Sequence, residues 1–260
     1  MRKRSLLYLG FISIFVLGLN ACKKDKPAPT PPTEETPPVD EAIHLTMKLN
    51  PTFNGNTVAL DSTYTTVEGY PFQLTNLKFL VTNLINNGDT LISAAKLDWV
   101  ADGLTVFSTT GDPTLFQQLS GVLGVDSAIN HLDPISFPTT DPLYLTNIND
   151  MHWSWNPGYI FIKVEGKYDT ITGSSNFPLS FLFHIGMDQN KQTFQWNTVT
   201  WNKIDDKHYE AKLDFKLDKF LHGTTQSIDL KTENLSHSSS GQETLSLKVI
   251  QLFNDALQAE

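Results

Sequence analysis

The sequence predicts an all-β fold, a β-sandwich or open barrel closed by one amphipathic C-terminal helix. Three observations carry that prediction. From residue 42 onward apolar and polar residues alternate, the period-two pattern of half-buried strands. Gly, Pro and Asn recur between these short runs, as they do where strands turn closely upon one another. A sustained helical period is confined to residues 243–257, where Leu245, Val249, Leu252, Phe253 and Leu257 share one face that would pack on a sheet.

The elements follow in order. Ile43, Leu45, Met47 and Leu49 alternate with His44, Thr46 and Lys48, which marks a strand with one buried face. Asn54-Gly55 reads as a turn and 57–60 as a short return strand. A longer β-prone run, 72–85, ends at Asn87-Gly88-Asp89, a strong hairpin signal. Further strands are expected at 91–100, 143–148, 151–167, 179–185, 193–202, 209–217 and 227–230. Residues 113–123 (PTLFQQLSGVL) break the pattern and suit a short helix. No repeat of solenoid or propeller period occurs, and no composition break follows residue 42, so 42–260 is read as one domain.

The N-terminus has a different character. Arg2, Lys3 and Arg4 precede an almost wholly apolar stretch from Leu6 to Leu19, the layout of a secretory signal. That stretch is short of the roughly 20 apolar residues a spanning helix needs. It ends in Leu19-Asn20-Ala21-Cys22, which looks like a bacterial lipobox. Residues 1–21 are therefore expected to be a signal peptide, with Cys22 lipidated as the new N-terminus. Buried acyl chains anchor a protein without making it span. Residues 23–40 carry six prolines and no large apolar residue except Val39. With Cys22 they form a tether (22–41) that holds the domain off an outer or inner membrane, facing periplasm or cell surface.

Composition limits the chemistry. The formal charge of −9 becomes more negative once the three basic residues of the signal are removed. Such a body repels phosphate backbones, which argues against nucleic-acid binding. The single cysteine cannot close a disulfide within the chain, and its place in the signal excludes a cysteine nucleophile. There is no G-x-S-x-G, P-loop, H-E-x-x-H or G-x-G-x-x-G motif, so no catalytic residue is assigned.

Two segments stand out. In Met151-His152-Trp153-Ser154-Trp155, a regular strand puts Met151, Trp153 and Trp155 on one face and His152 and Ser154 on the other. Aromatics of this size commonly fill a core. Farther along, Lys163 and Glu165 share a face, as an ion pair would. In Phe181-Leu182-Phe183-His184-Ile185-Gly186, His184 points away from Phe181, Phe183 and Ile185. His184 is a candidate metal ligand if partners converge on it, and His44 has the same standing on the first strand. His237 lies in a polar stretch and reads as solvated; His131, His208 and His222 read as loop or edge residues.

These segments together resemble a known family. Gly124-Val125-Asp126-Ser127-Ala128-Ile129-Asn130, then M-x-W-x-W-x-x-G-Y-x-x-x-K-x-E-G from Met151 to Gly166, then F-x-F-H-I-G from Phe181 to Gly186 occur in that order. The pattern is similar to the MbnP-like copper-binding proteins, secreted proteins and lipoproteins of Gram-negative bacteria. The run from Leu77 to Leu84 and the closing Gln251-Leu252-Phe253-Asn254 add to the likeness, which covers residues 43–257.

The resemblance implies a non-catalytic, extracytoplasmic β-sandwich that binds copper. Some relatives partner a dihaem peroxidase-like enzyme that oxidises a tryptophan to kynurenine, whose nitrogen helps hold Cu(I) beside histidines. Carried onto this chain, Trp153 and Trp155 are the candidates for modification. His184, His44 and His152 are the candidate ligands. Two readings compete: a metal-free sandwich that binds protein or glycan, which an exposed Trp153 or Trp155 would favour, and a hydrolase, which would need a nucleophile–base pair that the sequence does not display.

Overall fold

A computed structural model of the protein describes residues 42–153 and 158–259. β1 (His44–Phe53) turns into β2 (Asn56–Thr57) through Asn54 and Gly55, both left-handed at φ 51° and 79°. A two-residue hairpin needs this mirror-image turn to match strand twist, and Asn-Gly adopts it with least strain. β3 (Thr63–Thr65) precedes β4 (Pro71–Asn86), and a second such turn at Asn87 and Gly88 (φ 49° and 91°) leads to β5 (Asp89–Asp98). β6 (Thr105–Thr110) and β7 (Leu119–Leu123) follow. Residues 124–150 then make an excursion with helical turns at Ser127–Asn130, Pro134–Ser136 and Leu145–Ile148.

Beyond it come β8 (His152–Trp153), β9 (Gly158–Tyr168), β10 (Leu179–Gly186), β11 (Gln192–Trp196) and β12 (Asn202–Lys203). β13 (His208–Lys216) leads through a helical turn at Leu217–Leu221, which carries Phe220, to β14 (Leu235–Ser236), a helix α1 (Glu243–Ala256) and β15 (Leu257–Ala259). One sheet runs β12-β13-β1-β2, with β6 also on β1 and β15 on β13. The second runs β11-β7-β4-β9-β10-β14, with β3 and β5 on β4 and β8 on β9. The architecture is an all-β sandwich of two curled sheets carrying a C-terminal helix, as the periodicity predicts.

The core lies where the sheets and helix meet. Leu45, Met47 and Leu49 of β1 are buried, in the alternation read from the sequence. Phe253 of α1 joins the layers: its ring centre lies 5.6 Å from Phe79 on β4, 4.8 Å from Phe215 on β13 and 5.8 Å from Phe220. Full burial of such a ring contributes about 2–3 kcal/mol by area alone. β1 and β13 pair in parallel from His44 opposite His208 to Thr52 opposite Lys216, binding distant parts of the chain edge to edge.

Several local expectations are corrected. Residues 143–148 are not a strand, because local polar bonds outcompete apolar alternation. Asp141 accepts from Leu143 N at 2.8 Å, and Tyr144 O accepts from the N–H groups of Asn147 and Ile148. Run 151–167 is a hairpin and not one strand: β8 folds back so that His152 faces Tyr159 across the register. Within 113–123 only Pro113–Phe116 is helical, a 3₁₀ turn capped by Asp112, and Leu119–Leu123 is β7, held between β4 and β11. The stretch 193–202 stops as a strand at Trp196, and in 227–230 only Ser227 makes a bridge, to His222.

Candidate metal centre

β9 sends Ile160, Ile162 and Val164 into the core and turns Lys163 and Glu165 to the opposite face. Register then assembles a polar row. Asn76 of β4 stands opposite Glu165, Lys78 opposite Lys163, and on the other side His184 of β10 is also opposite Lys163. β14 runs parallel to β10 with Ser236 opposite Phe183, which brings His237, the next residue, alongside His184. The 124–150 excursion covers one end of this face. It begins at Gly124, where an added Cβ would lie 2.6 Å from the Phe161 ring, and the Tyr159 hydroxyl donates to Leu143 O at 2.9 Å.

Asp150, at the end of the excursion, locks the row. Its carboxylate accepts from Lys78 Nζ at 2.7 Å and from Lys163 Nζ at 2.5 Å, and Lys78 also reaches the buried Asp98 at 2.8 Å. Lys163 continues to Glu165 Oε1 at 3.4 Å, the ion pair expected from their shared face. Glu165 Oε1 then meets His184 Nε2 at 2.7 Å, while Asn76 Nδ2 donates to Oε2 at 2.9 Å. Finally the His184 ring stacks on His237, centres 4.8 Å apart and planes 22° from parallel.

These contacts set protonation. The His184 hydrogen bond holds the Glu165 carboxyl down to about 2; burial opposes this, and Asn76 and Lys163 assist it. An ionised carboxylate only accepts, so His184 Nε2 carries the shared proton and Nδ1 is the lone-pair nitrogen of its neutral form. Burial, with His184 beside it, pushes His237 below the usual imidazole value. Its Nε2 is buried with no hydrogen-bond partner. Burial is also expensive for Asp98 and Lys78. Their mutual bond, with Asp150 on Lys78 and Ala101 N–H and Asn149 on Asp98, outweighs that cost and widens the gap between their pKa values.

The anticipated ligands do not converge. His184 lies in this row. His44 belongs to the other sheet, where it stacks on His208 with centres 5.2 Å apart. His152 packs edge-on against Tyr159 at 5.1 Å, its Nε2 buried without a partner. The β8–β9 hairpin and the separation of the sheets keep these three apart. Among the described residues no group of three or more His, Cys, Asp or Glu side chains is placed to hold a metal ion.

Trp153 is buried, 6 % exposed, over Gly186, where an added Cβ would sit 2.6 Å from the indole. Gly186 is two residues beyond His184 on β10 and donates its N–H to Ser238 Oγ at 3.2 Å, so the indole, which comes from β8, packs against the strand that carries His184. Trp155 and Cys22 lie outside the described residues. His237 is the residue sequence reasoning missed. The strand that carries it has only two residues, Leu235 and Ser236, too few to show a period.

The family model described as MbnP matches residues 42–240. Among solved structures, MbnP from Methylosinus trichosporium is similar at 14 % identity and TM-score 0.42, over 73 % of this chain and 78 % of that one. Curated proteins yield no match. With the family model covering most of the folded region and the ordered motifs lying within it, the chain belongs to the MbnP family.

Proposed function

We propose that this protein is a non-catalytic copper-binding lipoprotein of the bacterial cell envelope, with His184 and His237 as its imidazole ligands. One observation carries the reading: a buried, unpartnered His237 Nε2 lies beside an imidazole whose other nitrogen is pinned by a carboxylate. A ligating histidine commonly donates its second N–H to a carboxylate, which fixes tautomer and orientation. Glu165 supplies that bond to His184, leaving Nδ1 as donor. Imidazole suits copper, and Cu(I) accepts few ligands, so a pair fits the ion where no larger cluster occurs among the described residues. The copper would supply a soft, exchangeable Lewis acid, and the chain's task would be to hold and release it.

The reading extends to a lipid on Cys22, a tether across 22–41, and a dihaem peroxidase-like partner that oxidises Trp153 or Trp155. The motif resemblance supports these parts. The metal-free binding-module alternative would be favoured by exposed tryptophan, whereas Trp153 is buried.

Cu(I) titration of the full chain tests the ligand pair. His184→Ala and His237→Ala should each weaken binding at least tenfold, with His152→Ala unchanged. Equal affinity in wild type and both pair variants would overturn the assignment. Intact-mass analysis of protein from its native host should show diacylated Cys22; an unmodified N-terminal signal would refute the anchor.

A further inference from the structure

We propose a second metal site, independent of the copper pair, at His44 and His208 on the first sheet, fitted to a borderline divalent ion of the zinc class. The two residues are direct cross-strand partners at the start of the parallel β1–β13 pairing. Their ring centres are 5.2 Å apart. Two imidazoles sharing one ion at metal–nitrogen distances of about 2.0–2.1 Å and a tetrahedral angle have ring centres roughly 5 Å apart, close to the spacing of this pair. The rings are now nearly parallel, 19° between planes, and must swivel about the last side-chain torsion to aim at one point. That torsion is broad and soft for histidine.

Two surroundings favour a metal over a bare stack. Asp205 places both carboxylate oxygens 2.8 Å from His208 Nδ1. Ionised Asp205 accepts the Nδ1 proton, which leaves Nε2 as the lone-pair nitrogen, the same carboxylate-orienting arrangement that supports ligating histidines elsewhere. Thr46, Ser108, Thr109 and Thr110 line the same open groove, of about 550 Å³, which leaves room for water as the remaining ligands. Two imidazole nitrogens with water oxygens make an open, exchangeable site for Zn²⁺, which takes His nitrogen and water together. An ion here would bridge the first residue of β1 to β13, bracing the point where the sheet begins.

Zn²⁺ calorimetry on the full chain tests this, with His208→Gln, His44→Gln, Asp205→Asn and His237→Ala. His208 is 56 % exposed, so its substitution leaves the fold intact, and metal-free melting curves verify this for each variant. The expected result is Zn²⁺ binding that falls at least tenfold in each histidine variant of this pair and about tenfold in Asp205→Asn, yet is unaffected by His237→Ala. Zn²⁺ should also raise the melting temperature of wild type but not of His208→Gln. Zn²⁺ behaviour that is the same in His208→Gln and wild type, whether both bind or neither does, overturns the site.

Discussion

At the scale of single residues, the buried charges matter most. Asp98 is fully buried and is held by Lys78 at 2.8 Å, Asn149 at 3.1 Å and the Ala101 N–H at 3.1 Å. Removing the Asp98 carboxylate leaves Lys78 with Asp150 alone and takes the acceptor from Asn149 and the Ala101 N–H, so Asp98→Ala should cost about 3 kcal/mol in denaturant unfolding. The pH dependence has a definite sign. Burial alone would raise the Asp98 carboxyl, but its hydrogen bonds prevail and keep it below its ordinary value of 3.8. Its contribution is therefore complete above that value and lost as pH falls through the lower folded one. Asp98→Asn should flatten the acid limb of stability below about pH 4, measured by urea unfolding across pH; an unchanged slope would show that the carboxylate is not linked to folding.

Glycines decide other residue-level outcomes. A Cβ at Gly166 would lie 2.1 Å from Phe181 Cζ and 2.3 Å from Gln73 O, with backbone on one side and a buried ring on the other. Gly166→Ala should destabilise by about 1–3 kcal/mol through forced displacement of Phe181, detectable as a lowered urea midpoint. These glycines are visible in the sequence as the ends of E-G and I-G pairs. Their reason is not, since it lies on a neighbouring strand.

At the scale of elements, register does what composition cannot. Alternation correctly puts Lys163 and Glu165 on one face, where they form the ion pair, and turns His184 away from Phe181, Phe183 and Ile185. That Lys78 and Asn76 join them depends on β4 lying beside β9, a pairing between residues nearly ninety positions apart. The same holds for His237, which becomes a neighbour of His184 through two paired residues, and for His208, which faces His44 across distant strands. The helix is the opposite case. Its face is legible from spacing, with Val249, Leu252 and Phe253 buried as expected. Phe253→Ala should cost about 3–5 kcal/mol, since it empties the contact of both sheets with α1. Calorimetric melting measures it, and a loss below 1 kcal/mol would mean the helix packs loosely.

At the scale of the whole molecule, the β1–β13 pairing joins the start of the described chain to its last third, and β15 adds to β13 after the helix. The two sheets and α1 thus share Phe79, Phe215, Phe220 and Phe253 as a common aromatic contact. Deleting residues 243–260 should abolish the cooperative transition altogether, because it opens both sheets to water at once; near-ultraviolet circular dichroism through a thermal scan reports it. A retained sharp melt would show that the sheets close without the helix.

The sequence by itself determined the class of fold, the long strands, the turns at Asn54-Gly55 and Asn87-Gly88, the helix face and the family, because each depends on short periods or contiguous motifs. Only the tertiary structure decided which histidines meet. It separated His44, His152 and His184 and supplied His237 and His208 as partners instead. Side-chain direction is set within a few residues of backbone, whereas proximity is set by sheet order, and that order arises from packing of segments far apart in the chain.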